Sequence, residues 1–114
     1  MRVYVAGPLS QGNVAGNVRQ AILAADRLLA AGHAPFVPHL THFWGMVCPR
    51  EYEEWITLDF VWIRCCDALI RLPGESLGAD REVVWAQHWN IPVFEGVTAF
   101  LEYASIPLRP WREA

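Results

Sequence analysis

Four short apolar runs, most of them closed by glycine or proline, alternate along this chain with stretches whose apolar residues recur every three or four positions. The runs are Val3 to Ala6, Ala34 to Val37, Asp67 to Leu72 and Ile91 to Phe94. Apolar runs of this length read as strands buried on both faces. Between the first two, a helix is predicted from Asn13 or Asn17 to about Ala31, with Val18, Ala21, Ile22, Ala25, Leu28 and Leu29 at helical spacing and Gly32 as its stop. A second helix is predicted from Pro49 through Tyr52, Trp55, Ile56, Phe60 and Ile63, and a third from about Gly78 to Trp89. Pro38 to Pro49 is expected to be a long polar and aromatic loop holding His39, His42 and Trp44. Thr98 is expected to cap a final short helix through Tyr103, with Pro107 and Pro110 making the tail irregular.

Strands alternating with helices imply a mostly parallel sheet covered on both faces. The expected fold is therefore α/β and doubly wound, with four to five strands flanked by helices in a Rossmann or flavodoxin-like arrangement, as one domain over residues 1–114. In such sheets a ligand lies beyond the carboxyl ends of the strands, where the strand order reverses. That rule selects two segments, Gly7 to Asn13 after the first strand and Pro73 to Asp80 after the third.

Composition removes several function classes. All nine basic residues are arginine, so a phosphate-loop lysine, a kinase lysine and Schiff-base chemistry are excluded. With a net charge of −3 and no basic cluster, a duplex nucleic-acid partner is not expected. No apolar stretch is long enough for a signal peptide or a membrane span, so no membrane partner is expected either. Cys48, Cys65 and Cys66 are odd in number and two are adjacent, which gives no disulfide framework and fits a reducing cytoplasm.

The segment from Pro73 to Glu82 is the richest in chemistry. Ser76 and Gly78 can present a hydroxyl and backbone N–H groups at a helix start, where an anion or sugar oxygen is favoured. Glu82, about one turn further, leans back toward the same end because helical side chains tilt toward the N-terminus. The plainer alternative is that Ser76 caps the helix and Glu82 is an early stabilising acid. Asp59 interrupts the apolar face between Trp55 and Ile63, and reads either as a functional acid or as an exposed helix acid. Tyr4, on the first strand, reads as a core residue whose hydroxyl still needs a partner.

Three separated blocks, Tyr4-Val-Ala-Gly7, Asp59 followed by Asp67-Ala-Leu-Ile70, and Ser76-Leu-Gly-x-x-x-Glu82, resemble the nucleoside 2-deoxyribosyltransferase superfamily, which includes 2′-deoxynucleoside 5′-monophosphate N-glycosidases. The resemblance covers residues 3 to about 94. It implies cleavage or transfer at the N-glycosidic bond of a nucleoside or nucleotide, with no cofactor. On that resemblance Glu82 falls on the nucleophile, Asp59 on the acid that orients the sugar or assists the departing base, and Ser76 on a sugar or phosphate contact. Tyr4 matches an aromatic that holds the nucleophile, and Gly7 a glycine that admits the ligand. The chain departs from the nucleotide hydrolases after Gly7, where Pro8-Leu-Ser-Gln-Gly-Asn13 lacks an arginine that would grip phosphate. Ser10, Gln11, Asn13 and Ser76 are left as neutral donors for a phosphate or for sugar hydroxyls. A nucleotide-sensing module without turnover is the alternative.

His39-x-x-His42 with Cys48 has no fourth ligand at standard spacing, so no metal site is read there. His39, His42 or Trp44 is expected instead to border the base. Cys65-Cys66 reads as packing rather than nucleophilic. Six tryptophans exceed what one small core covers, which together with the resemblance suggests a homo-oligomer, a dimer or larger, with Trp55, Trp62, Trp85 and Trp89 in the core or the contact.

Overall fold

The structure is a computed structural model in which residues 1–105 are described; Pro107 and Pro110 lie outside them. Strand β1 (Arg2–Ala6) is central, paired in parallel with β2 (Ala34–Phe36) on one side and β3 (Ala68–Arg71) on the other, and β3 pairs in parallel with β4 (Val93–Glu95). The order β2-β1-β3-β4 makes a doubly wound α/β sheet of Rossmann-like type.

Val3 to Ala6 can be apolar without interruption because both faces of β1 are covered, and all four are 0% exposed. Alternate side chains feed two cores. Val3, Val5, Ala68 and Ile70 meet α1 (Val14–Ala30) and α5 (Val97–Tyr103), whereas Tyr4, Ala6 and Leu69 meet α3 (Tyr52–Arg64) and α4 (Leu77–His88). Each fully buried valine or leucine contributes about 1.5–3 kcal/mol relative to exposure.

Helix α1 starts where Asn13 Oδ1 accepts the Gly16 N–H at 3.0 Å and stops before Gly32, whose φ of +92° suits glycine. Its buried face is Val18, Ala21, Ala24, Ala25 and Leu28; Ile22 and Leu29, expected inward, are 44% and 63% exposed. A stripe of small alanines lets the helix sit close to the sheet, and the bulkier residues fall outside it.

The segment expected as a loop from Pro38 to Pro49 is ordered as a tight helical turn, Pro38–Leu40, running into the short helix α2 (Thr41–Val47). Helix α3 begins at Tyr52 rather than Pro49, because Glu51 and Glu54 form a reciprocal capping box that fixes the start. The last helix begins at Val97 after Gly96, so Thr98 lies inside it and does not cap it.

The connection through α1 carries the chain from β1 outward to β2, and the one through α3 carries it back across β1 to β3. The segments leaving β1 and β3 therefore diverge, and a crevice opens at their carboxyl ends.

Candidate functional site

A cavity of about 810 Å³ occupies that crevice. Its wall comes from the segment after β1 (Gly7, Ser10, Gln11), from the turn and α2 after β2 (His39, Thr41, His42), from α3 (Trp55, Asp59) and from the start of α4 (Ser76, Gly78, Glu82).

Three side chains distant in sequence meet at its floor. Tyr4 is fully buried, with its ring stacked on Phe36 at 5.6 Å between centroids, and its hydroxyl donates to Glu82 Oε2. Glu82 is 6% exposed and Asp59 8%. Glu82 reaches the floor because Ser76 fixes where α4 begins: its Oγ accepts the Ala79 N–H at 3.1 Å, setting the helical phase. Asp59 reaches it from the inward face of α3, one turn before the buried Ile63.

Burial is the dominant electrostatic influence. It pushes the Glu82 carboxyl up to about 8, against the Tyr4 hydrogen bond, and the nearby Asp59 raises it further while Arg71 opposes. Burial likewise pushes Asp59 up to about 7, with Tyr4 opposing. The Tyr4 phenol is held well above its ordinary value by burial and by both acids, so it remains a donor. Asp59 Oδ1 is buried with no hydrogen-bond partner among the described residues. Such an atom is costly to leave unsatisfied unless a ligand or proton completes it.

His39 is 2% exposed and ties two walls together. Its Nε2 lies 3.1 Å from both the Gly7 and Pro8 carbonyl oxygens; since carbonyls only accept, Nε2 carries the proton. Burial lowers its proton affinity, so the ring is neutral and Nδ1 is left as an acceptor without a partner among the described residues.

A family model described as Domain of unknown function (DUF7768) matches residues 1–95. The chain belongs to this family. The match spans all four strands and every wall of the cavity, so the crevice lies within the DUF7768 domain. No curated protein matches the chain.

Of the residues singled out from sequence in this DUF7768 chain, Gly7, Ser10, His39, His42, Asp59, Ser76, Gly78 and Glu82 all line the cavity. Tyr4 lies beneath it, touching Glu82 rather than the open space. Asn13 and Trp44 are not brought to it: Asn13 is used as the cap of α1, and Trp44 rests edge-on against Trp55 at 5.3 Å. Gly7 has a packing reason to be glycine, since a Cβ there would sit 3.0 Å from the Leu72 Cβ. Thr41, Met46, Tyr52 and Arg81 also line the cavity and were not identified from sequence. The first two belong to α2, hidden when that segment is read as a loop; Tyr52 reads as part of the apolar stripe of its helix, and Arg81 as a solvated charge in the first turns of α4. Among the described residues no group of three His, Cys, Asp or Glu side chains is placed to hold a metal ion, and no helix is long and apolar enough to cross a membrane.

Proposed function

We propose that this DUF7768 domain cleaves or transfers the N-glycosidic bond of a nucleoside or nucleoside 5′-monophosphate, with Glu82 as nucleophile. The observation carrying the reading is that Tyr4, Asp59 and Glu82 converge from β1, α3 and α4 on the floor of one cavity at the strand-order reversal. The resemblance of the same three blocks to the nucleoside 2-deoxyribosyltransferase superfamily is part of this proposal.

Breaking the bond builds positive charge at the anomeric carbon, which a fixed carboxylate nearby stabilises and then traps. Glu82, ionised and oriented by the Tyr4 hydroxyl, bonds to that carbon as the bond to the base nitrogen breaks. Asp59 in its acid form gives its proton to the departing base. Water then attacks the same carbon, returns a proton to Asp59 and releases Glu82 as carboxylate; a second base in place of water gives transfer. Burial holds both carboxyls near neutrality, Glu82 at about 8 and Asp59 at about 7, so the reacting form is the singly protonated pair in which the proton sits on Asp59 and Glu82 is the carboxylate.

The test is to incubate the protein with a panel of nucleosides and monophosphates and measure free base by chromatography. Base release is expected, falling about 10³-fold or more in Glu82→Ala. Full release by that variant would remove Glu82 from the role, and binding without release would point to a ligand-sensing module instead. Two further parts of the proposal concern setting. The unpaired Cys48, Cys65 and Cys66 fit a reducing cytoplasm, and apolar residues on the outer sides of α3 and α4 fit a homo-oligomer.

A further inference from the structure

We infer that Arg81 reads an anionic group on the ligand, so that the substrate class of this site is the nucleoside 5′-monophosphate rather than the free nucleoside. This rests on the glycosidase reading for its chemistry, but the recognition stands on separate observations.

Among the described residues, Arg81 is the one arginine lining the cavity. Its existing partners hold it loosely. Glu53 Oε1 is 3.9 Å away, and the two side chains are 43% and 76% exposed, so the pair is solvent-screened and easily exchanged for a better anion. Its guanidinium lies 6.0 Å over the Tyr52 ring, which limits where it can swing. The surroundings supply further donors. Tyr52 Oη comes within 3.5 Å of where a Gly78 Cβ would stand, which places the phenol beside the first turn of α4. Ser76 uses its oxygen as an acceptor for the cap and keeps its O–H to give.

The charge balance of the wall favours an anion at this end. Asp80, the acid in the first turn of α4, is engaged by Arg71 at 3.0 Å. Burial lets the Asp59–Glu82 pair carry a single negative charge around neutral pH rather than two, and His39 is neutral. His39 and Asp59, both more than nine-tenths buried on the turn after β2 and on α3, each hold a polar atom without a partner among the described residues. The His39 Nδ1 is an acceptor and meets a donor such as a sugar hydroxyl, which leaves the anionic group to the α4 side of the cavity, where Arg81 lies. The arginine absent after Gly7 in the sequence thus has a replacement on α4: a planar fork matched to phosphate oxygens.

The test measures base release from four 2′-deoxynucleoside 5′-monophosphates and the four matching nucleosides, alongside calorimetric titration of the same compounds. The wild-type protein is expected to favour monophosphates at least about tenfold in kcat/KM. Arg81→Gln should erase that preference through a rise in KM of about 10–100-fold on monophosphates, with Arg81→Lys keeping part of it. Nucleosides used as well as monophosphates, or a preference that survives Arg81→Gln, would overturn the assignment. If no compound releases base, the glycosidase reading fails while titration still decides this one. Tighter binding of monophosphates that Arg81→Gln abolishes would sustain it, and equal or absent binding would overturn it.

Discussion

Tyr4 spends its only strong donor on the buried Glu82, so the state of one carboxyl depends on a residue that does not face the cavity. The pair of acids gives the proposed reaction a definite pH dependence. With both carboxyls protonated there is no nucleophile, and with both ionised there is no acid. The rate should therefore rise and then fall, with limbs near 7 and 8 that belong to the coupled pair. Tyr4→Phe should lower kcat about tenfold or more and move the whole profile upward in pH, because the Tyr4 hydroxyl opposes the rise of both carboxyls; an unmoved profile would make Tyr4 merely structural. The same acids affect stability. Their folded values lie above the unfolded ones near 4, so between about pH 4 and pH 8 the folded protein binds more protons than the unfolded chain. Stability should fall as pH rises through that window, and Glu82→Gln should flatten the decline by about a few kcal/mol in denaturant melts at several pH values. Tyr4, Asp59 and Glu82 were each legible as single residues, since an acid on an apolar helix face and a phenol on a core strand are anomalies in a pattern. Their meeting was expected from the resemblance alone, which sets Tyr4 against Glu82 and Asp59 beside the sugar; no local pattern encodes it, because it depends on the packing of three elements.

Helix α4 positions the largest share of the site, and two local devices fix it. Ser76 caps the helix, while Arg71, leaving β3 with only 10% of its side chain exposed, donates to the Gly74 carbonyl at 2.9 Å and to Asp80 Oδ1 at 3.0 Å. The segment between strand and helix is thereby pinned at both ends. Ser76→Ala should cost about 1 kcal/mol of stability, and it should also raise KM, because the hydroxyl is removed from the cavity wall. A stability loss with an unchanged KM would assign Ser76 to capping alone, which is the plainer of the two alternatives open in the sequence. At this scale local signals worked where a cap or a glycine stop marks a boundary, as for α1 and α4. They failed between Pro38 and Tyr52. The prolines there read as breaks, yet α2 exposes Phe43, Trp44, Met46 and Val47 and buries none of its own residues, so no apolar periodicity was available to reveal it.

Over the whole molecule, the aromatic residues divide into two groups. Phe60 meets Trp85 and Trp89 edge-on at 4.9 and 4.6 Å, and Phe36 stacks on Trp62 at 5.0 Å, so much of the tryptophan content is accounted for within the chain. Val61, Trp62 and Val84 nevertheless remain 44–60% exposed on α3 and α4. If these faces form the proposed subunit contact, light scattering at micromolar concentration should give a mass of at least two chains, and Val84→Glu should shift it toward one; a monomeric wild type would end the idea. The doubly wound parallel sheet was determined by the sequence itself, because strands covered on both faces must be continuously apolar and their crossovers must carry helical period. Only the tertiary structure decided that Arg81 and Tyr52 reach the cavity, that Asn13 and Trp44 do not, and that two acids are buried enough to retain protons near neutrality. Those outcomes depend on which turn of a helix faces which loop and on how much water is excluded between them, and neither is written in any one segment.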